Sequence, residues 1–378
     1  MDFRFTEEQE ILMESVENFF KKEFPLEVSR DHQFFGDEFT RKLHLKMGGL
    51  GWLGILITEE YGGTGGDSID YGIVAEKAGK YLLESPFLMG CGNIAPCILN
   101  YASEELKKRH LPKICSGEEV WAMGMTEPEA GSDAANTKTT AVADGDDFII
   151  NGNKVFSTTS HEADFFLVVA RTEKTTPKHK GITLFIMDKN APGVAARPLD
   201  TLGGSGYTSE VFYDNVRVPK SNMVGTYNKG FYQLMTTMDR ERSGASLWML
   251  GHAEGAFEMA LQYSKERVQF DQPIGKFQVI QHYLADMATQ IEMARLYAFH
   301  VAWMETQHIK CTKEAAMAKL VAGEVAKSTA VQCMQIMGGY GYMMEYDMQR
   351  YLRRSMVFTV VGGTSEIQKN IIAKSMGL

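Results

Sequence analysis

One loop has the residue types for close contact with a flat polar ring and a pyrophosphate. It reads Met125-Thr126-Glu127-Pro128-Glu129-Ala130-Gly131-Ser132-Asp133. Gly131 lacks a side chain and lets a ligand approach the backbone, while the hydroxyls of Thr126 and Ser132 can form hydrogen bonds. Taken alone, the same residues are compatible with an ordinary turn, so the loop predicts a binding site only if other motifs support it.

A second candidate is a carboxylate between two arginines, in the run Asp239-Arg240-Glu241-Arg242. Composition alone favours a solvated carboxylate on a helix surface for Glu241, because acidic and basic neighbours are typical of exposed helix faces. A carboxylate held against a substrate would instead be a proton acceptor. The residue types alone do not make this choice.

Two other patterns carry no predicted site. The glycines from Gly62 to Gly66 match neither G-x-x-x-x-G-K-[ST] nor a strand-to-helix G-x-G-x-x-G, so they predict a loop between helices. The cysteines are an odd number without any C-x-x-C pair, which predicts packed, reduced thiols rather than disulfides, zinc or another metal site. They are Cys91, Cys97, Cys115, Cys311 and Cys333.

Charge and composition exclude several classes of partner. A formal net charge of −9 opposes the clustered cations that bind DNA or RNA. The first residues resemble neither a signal peptide nor a presequence, and no apolar run approaches the length of a membrane span. These features predict a cytoplasmic protein with no nucleic-acid partner and no membrane insertion.

The periodicity of apolar residues predicts an α+β protein in three parts, with domains at residues 1–118, 119–228 and 229–378. Thr6 with Gln9 predicts the N-cap of the first helix. The middle part has short β-prone runs, with hairpin turns predicted at residues 144–147 and 151–153. After residue 229, long helices are predicted at 231–268, 278–307, 313–337 and 365–376.

Several motifs along the chain, in this order, resemble the acyl-CoA dehydrogenase family over essentially its whole length. They are the segment from Met125 to Asp133, Asn151-Gly152-Asn153-Lys154, Arg267-Val268-Gln269-Phe270 with Pro273 to Gln278, Gln335 to Gly341, and Gly363-Thr364-Ser365-Glu366-Ile367-Gln368. The resemblance implies an N-terminal helical domain, a middle β-barrel-like domain and a C-terminal four-helix bundle. It also implies FAD, a CoA thioester substrate, an electron-transferring flavoprotein as redox partner, and a homotetramer.

The resemblance assigns roles residue by residue. Around the flavin and the inner part of the thioester it implies Met123, Met125, Thr126, Gly131, Ser132, Phe156 and Thr158, with Ser132 also touching substrate. Around the FAD phosphates, ribose and adenine, partly from a neighbouring protomer, it implies Arg267, Phe270, Gln278, Gln335, Gly338, Gly339, Thr364 and Glu366. Phe156 stands where many members have Trp, and its ring still allows stacking.

The catalytic base is the main departure from the family pattern. Many members carry it directly before the Gly-Thr of the last motif, where this chain has Gly362. A second family position, on the first long helix of the bundle, corresponds to Glu241, with Arg242 and Asp239 beside the CoA substrate. The resemblance assigns polarisation of the thioester carbonyl to a backbone N–H near Gly363 and a flavin ribose hydroxyl.

The substrate and the direction of the reaction stay open. Members with the helix-borne base often accept branched, cyclic or aryl-substituted thioesters. Crotonobetainyl-CoA reductase-like proteins share the same Glu and Gly arrangement, so reduction of an enoyl-CoA is the alternative direction. The loop from Leu202 to Thr208 lacks an Arg that is common in the family. An oxidase, disfavoured by the compact length, and a non-catalytic flavin or acyl-CoA binding subunit are the other readings.

Overall fold

The computed structural model describes residues 4–84, 86–175 and 177–378, which form two compact units. The first unit comprises the described residues within 1–33, 68–84 and 242–378, and the second comprises those within 34–67 and 85–241. The helices are α1 (Glu7–Glu23), α2 (Leu26–Asp31), α3 (Glu38–Gly49), α4 (Ser68–Lys80), α5 (Phe87–Met89), α6 (Ala95–Tyr101), α7 (Glu104–Ser116), α8 (Gly230–Met235), α9 (Met238–Glu266), α10 (Gln278–Thr306), α11 (Thr312–Met337), α12 (Gly339–Tyr342), α13 (Met348–Ser355) and α14 (Ser365–Ser375).

The strands lie mostly in the middle of the chain. They are β1 (Trp121–Gly124), β2 (Thr140–Asp144), β3 (Asp147–Thr158), β4 (Phe165–Arg171), β5 (Ile182–Asp188), β6 (Val194–Thr201), β7 (Gly204–Pro219), β8 (Met223–Val224), β9 (Val268–Gln269) and β10 (Gln272–Pro273). The first eight form one sheet and the last two form a small hairpin.

The first unit is helical and contains the long helices of the C-terminal region. Its first helix begins as predicted, because the Thr6 hydroxyl accepts from the Gln9 N–H and the Gln9 side chain accepts from the Thr6 N–H. Helix α4 packs against α1 and α10, and α11 packs against α10, α13 and α14. The core between these helices includes Ala256, Leu284 and Tyr351. This packing fixes the segments between the long helices, in which the candidate site residues lie.

The second unit is built on the eight-stranded sheet, in the order β6-β7-β3-β2-β4-β5-β8, with β1 pairing in parallel with β4. Alternate residues of its strands, such as Phe148 and Ile150, enter one apolar core with Phe166 and Phe185. The predicted hairpin turn between Asp144 and Asp147 is confirmed, since these two residues pair as β2 turns into β3.

Two predictions about individual elements are wrong. Residues 151–153 are not a turn but the interior of β3, where a register shift between Ile150 and Gly152 accommodates the sequence. Gly152 has φ of 147° there, a backbone conformation that glycine adopts without strain. An Asn-Gly-Asn sequence is typical of a turn, but here it occurs at an irregularity within a strand. The single helix predicted at 231–268 is two, because α8 ends at Met235 and α9 begins at Met238, with Thr236 and Thr237 in a turn between them.

All five cysteines are buried, and none forms a disulfide within the described residues. Among these residues, no helix is both long enough and apolar enough to cross a bilayer.

Candidate active site

A buried ion pair fixes the loop that follows β1 in the second unit. Lys154 on β3 is fully buried, and its Nζ donates to Glu127 Oε1 at 2.8 Å, Thr137 Oγ1 at 2.9 Å and the Met125 carbonyl at 3.1 Å. The Val155 N–H donates to the Thr126 carbonyl at 2.9 Å. The start of the loop is therefore tied to β3 at two successive residues.

The ionisation of this pair follows from its surroundings. Burial lowers the pKa of Lys154 to about 8, against the opposing effect of the Glu127 carboxylate. Burial alone would raise the pKa of Glu127, but the Lys154 charge and the hydrogen bonds from Thr137 and Thr139 outweigh it and lower the pKa to about 2. The carboxylate is therefore ionised in the folded protein at neutral pH.

A bulge presents Phe156 beside this loop. The pairing of β3 with β7 shifts register between Lys154 and Ser157, and Phe156 adopts φ of 56°, an uncommon conformation for a residue with a Cβ. The residue is 64% exposed. Phe156 therefore directly follows the two residues of β3 that bond to Met125 and Thr126, and its exposed side chain is accessible to a planar ligand.

Two buried hydroxyls near the bulge have no hydrogen-bond partner among the described residues. They belong to Ser157 on β3 and Thr208 on β7, and Thr208 pairs in register with Thr158. Buried hydroxyls are normally bonded, so these two can bond to a polar ligand or to an ordered water beside the exposed Phe156 side chain.

The other residues predicted around the flavin differ in exposure. Met123 on β1 is buried, and Gly131 and Ser132 are exposed at the far side of the loop. A Cβ at Gly131 would meet no atom within 4 Å, which leaves its backbone open to a ligand. The second unit therefore groups Met125, Thr126 and Phe156, while Gly131 and Ser132 lie in a separate exposed stretch.

The candidate base lies in the first turn of α9. Glu241 is partly buried, and its N–H donates to the Thr237 carbonyl at 3.2 Å. The Thr237 hydroxyl donates to Oδ1 of Asn93 at 3.1 Å, and Asn93 is fully buried within the π-helical segment Gly90–Ile94. Asp239, also partly buried, is in the same turn. The fold thus holds Glu241 out of bulk water without enclosing it, unlike a fully solvated surface carboxylate.

Arg242 is the first residue of segment 242–378, which belongs to the helical unit. It is 8% exposed, and its carbonyl accepts a hydrogen bond from the Ser246 hydroxyl at 2.6 Å. A buried arginine is uncommon unless its charge is matched, so this residue is not the solvated helix cation that its sequence context allows.

A surface cavity of about 560 Å³ in the helical unit brings three predicted cofactor residues together. Arg267, Gly338 and Gly339 line it, and the Arg267 guanidinium lies 5.4 Å from the centre of the Tyr340 ring. Gly338 has φ of 58°, and a Cβ on either glycine would meet no atom within 4 Å. An arginine beside two bare glycines suits a phosphate, because both the charge and the backbone are accessible.

Three further predicted cofactor residues are exposed but do not line this cavity. Phe270 is at the tip of the β9–β10 hairpin and is 87% exposed. Gln278 begins α10, and Gln335 is in the last turn of α11. Their side chains are available to a ligand or to another protein chain rather than to this cavity.

The last motif forms the start of α14. The Thr364 hydroxyl caps the helix by accepting from the Ile367 N–H at 3.2 Å, and Glu366 is exposed in the first turn. Hydrogen bonds from its own N–H and the Thr364 hydroxyl lower the pKa of Glu366. Gly362 and Gly363 precede the cap with φ of 65° and 88°. Both glycines are therefore in the left-handed region that disfavours other residues.

Two buried lysines, Lys154 and Lys319, have no predicted role in the sequence. Lys154 follows Phe148 and Ile150 at even spacing, which places it on their inward face of β3. Lys319 on α11 has buried small residues, Ala315, Ala316, Ala322 and Gly323, three and four positions away on either side. A lysine inside such an apolar pattern indicates a buried, paired cation, and this signal was available.

Comparison with known proteins identifies the family. The acyl-CoA dehydrogenase N-terminal domain matches residues 6–118, the middle domain matches 122–216 and the C-terminal domain matches 228–377. The chain belongs to the acyl-CoA dehydrogenase family. This confirms the family and the fold that the motifs predict, with N-terminal helical, middle β and C-terminal helical domains.

Three acyl-CoA dehydrogenase relatives illustrate the similarity. A probable acyl-CoA dehydrogenase of Bacillus subtilis is 39% identical, with 100% of both chains covered. A subunit of the caffeyl-CoA reductase–Etf complex of Acetobacterium woodii is 36% identical, with 98% of both chains covered. The structure of butyryl-CoA dehydrogenase from Megasphaera elsdenii is 33% identical with a TM-score of 0.93, and 100% of both chains is covered.

Acyl-CoA dehydrogenases are FAD-dependent oxidoreductases, and the residues of this chain fit that cofactor. The exposed Phe156 ring and the unpaired hydroxyls of Ser157 and Thr208 suit a polar aromatic ring. The open backbone of Gly338 and Gly339 beside an arginine suits a diphosphate.

Proposed function

We propose that this acyl-CoA dehydrogenase oxidises the α,β bond of a CoA thioester, with Glu241 as the base that removes the α-proton. The observation that carries the assignment is Gly362, which stands at the usual position of the base and has no side chain to accept a proton. Partial burial of Glu241 in the first turn of α9 supports this role, because a base must be shielded from bulk water yet reachable.

The other residues of the site bind and orient the reactants. Thr126, Phe156 and Thr158 would hold the flavin ring, while Arg267, Gly338 and Gly339 would hold the phosphates. The chemistry that FAD would supply there is that of a hydride acceptor for the β-carbon. Asp239, Arg242 and Ser132 contact the thioester, and a backbone N–H near Gly363 donates to its carbonyl oxygen, so that charge developing on that oxygen is stabilised.

Substitution of the base tests this proposal. Glu241→Gln keeps the size and the hydrogen bonding of the side chain but removes its basicity. We expect FAD and thioester binding to persist, while anaerobic flavin reduction by the thioester slows by a factor on the order of 10² or more. Stopped-flow absorbance of the flavin band measures the rate directly.

Glu266→Gln is the matched control, because Glu266 is an exposed carboxylate in the last turn of the same helix. It should reduce its flavin at the wild-type rate. A wild-type rate in Glu241→Gln would show that another group is the base, and loss of FAD would show that Glu241 has a structural role instead.

The redox partner in this proposal is an electron-transferring flavoprotein. The similarity to the subunit of the caffeyl-CoA reductase–Etf complex supports it, and the same similarity favours reduction of an enoyl-CoA as the second candidate function. A branched, cyclic or aryl-substituted acyl group agrees with a base on α9. The two directions can be compared by their rates. Faster reoxidation of photoreduced enzyme by an enoyl-CoA than reduction of oxidised enzyme by the saturated thioester would favour the reductase.

We also propose that the chain forms a homotetramer. In the first unit, apolar side chains are exposed at the hairpin tip and along the segment after α11: Phe270 is 87%, Tyr342 82% and Met344 67% exposed. Large apolar side chains grouped at a surface usually mark a protein interface. A second copy of this chain is the natural partner for such a surface in a closed, symmetric assembly.

A further inference from the structure

A buried lysine holds the turn that precedes α14 from the inside. Lys319 is 1% exposed, and its Nζ donates to the Phe358 carbonyl at 2.9 Å and the Gly363 carbonyl at 2.8 Å. These two carbonyls bracket the turn that contains Gly362. Burying an ammonium group is costly unless it is hydrogen-bonded, and here the two main-chain carbonyls offset that cost.

A buried carboxamide holds the same turn at the adjacent peptide. Gln368 is fully buried, and its Nε2 donates to the carbonyls of Gly362 and Gly363, both at 3.0 Å. The two hydrogens of the amide thus each have an acceptor. The reversed orientation would set Oε1 against two carbonyl oxygens, so the hydrogen bonding requires the amide to be placed this way.

These contacts dictate where the N–H groups of the turn point. In a planar trans peptide, the C=O and the following N–H point in opposite directions. Since the carbonyls of Gly362 and Gly363 point at Gln368 and Lys319, the N–H groups of Gly363 and Thr364 point away from them. Neither of these N–H groups, nor that of Gly362 in the same turn, donates to an acceptor among the described residues.

The two glycines make this arrangement possible. Gly362 and Gly363 both have positive φ, so two successive peptides can turn their carbonyls towards the same interior side. A Cβ on Gly363 would lie 2.8 Å from Gln368 Nε2, which is too close for an atom of a side chain. The turn therefore depends on both the glycines and the two interior donors.

We propose that Lys319 and Gln368 are positioning residues for carbonyl polarisation: by fixing the carbonyls of Gly362 and Gly363, they orient outward N–H donors towards the thioester oxygen. This inference rests on the proposed function, since it assumes that a thioester carbonyl binds at this turn. The two side chains do not touch the substrate and act only through the backbone of the turn.

The test measures the polarisation itself, using the FAD-loaded enzyme and acetyl-CoA labelled with ¹³C at the carbonyl. Acetyl-CoA has no β-carbon, so it binds without being oxidised, and its carbonyl stretch falls in frequency when donors polarise it. Difference infrared spectra should show this downshift in the wild type. Lys319→Met and Gln368→Met should each lose more than half of it.

Kinetics supply the second readout. With an oxidisable thioester, both variants should lose kcat by a factor on the order of 10 to 10², with a smaller change in KM, because misplaced donors act mainly in the transition state. Gln368→Met leaves the buried ammonium in place, so it remains informative if Lys319→Met does not fold.

Arg350→Met is the matched control. Arg350 is also a buried cation bonded to a main-chain carbonyl, that of Ser29 at 2.7 Å, but it lies outside the turn. It should keep the full downshift even where it lowers stability. A full downshift in either folded turn variant overturns the positioning role. If the wild type itself shows no downshift, the thioester is not polarised and the proposed function fails as well.

Discussion

Glu127 and Lys154 show how single buried charges set the geometry of a binding loop. The pair is enclosed, with side chains 2% and 0% exposed. Glu127 also accepts a hydrogen bond from the Lys138 N–H, and Lys154 also donates to the Met125 carbonyl. Because an unpaired buried charge is far more costly than a paired one, neither residue can be changed alone without disturbing the loop.

We therefore expect Glu127→Gln to lower the free energy of unfolding at pH 7 by about 3–5 kcal/mol, since it leaves the Lys154 ammonium without its carboxylate. The deficit relative to wild type should narrow as pH falls. The folded-state pKa of Glu127, about 2, is below its ordinary value of 4.5, so the unfolded chain binds more protons in this range and the wild type loses stability from pH 4.5 towards 2.

Urea unfolding at a series of pH values measures both effects. Asp144→Asn is the control, because Asp144 pairs with Arg217 at an exposed site and should cost less than about 1 kcal/mol. Equal losses for the two variants, or a Glu127→Gln deficit that does not change with pH, would contradict the ion-pair account.

At the scale of single elements, the β9–β10 hairpin depends on an uncommon turn. Phe270 and Asp271 connect the paired residues Gln269 and Gln272, and both have positive φ, of 48° and 61°. Such a two-residue turn matches the right-handed twist of the strands but strains residues with a Cβ, and Asp tolerates this better than most. The turn exposes Phe270, and its backbone strain lowers the stability of the hairpin.

Changing Asp271 should reveal this cost. Asp271→Val should be less stable than Asp271→Gly by about 1–2 kcal/mol, because a β-branched side chain disfavours the left-handed region while glycine is free to adopt it. Thermal unfolding of the two purified variants measures the difference. Equal melting temperatures would mean that the hairpin does not retain this turn.

For the whole molecule, the proposed association of copies of the chain rests on the exposed apolar side chains of the helical unit. Tyr342 and Met344 lie in one short segment after α11, close in sequence to the glycines that line the candidate phosphate cavity. Assembly through this segment would make the conformation of Gly338 and Gly339, which line the cavity, depend on the oligomeric state.

The double substitution Tyr342→Ser with Met344→Ser should reduce the molar mass in solution from that of a tetramer to that of a smaller species. The lost apolar contact area removes the main driving force for association. Multi-angle light scattering measures the mass. Ile11→Ser, at a residue of α1 that is 62% exposed, is the control and should leave the tetramer intact. An active wild-type monomer that retains FAD would refute the assembly.

The family, the succession of helical, β and helical parts, and most of the long helices can be predicted from the amino-acid sequence. These features depend on local periodicity and on motifs in a fixed order, such as Gly363-Thr364-Ser365-Glu366, which can be recognised without knowing contacts. The cap at Thr6 and the turn at Asp144 to Asp147 are equally local. The domain boundaries at 118 and 228 and the role of Glu241 stay predictions.

The tertiary fold is needed to know which charged residues are buried and which way the peptides of the turn at Gly362 and Gly363 face. Lys319 bonds to the carbonyl of Gly363, 44 residues later in the chain, and Lys154 bonds to Glu127, 27 residues earlier. The bulge at Phe156 and the continuity of β3 through Gly152 likewise depend on pairing with β7. A local pattern shows that a lysine faces inward, but the partners that make its burial possible are brought close only by the fold.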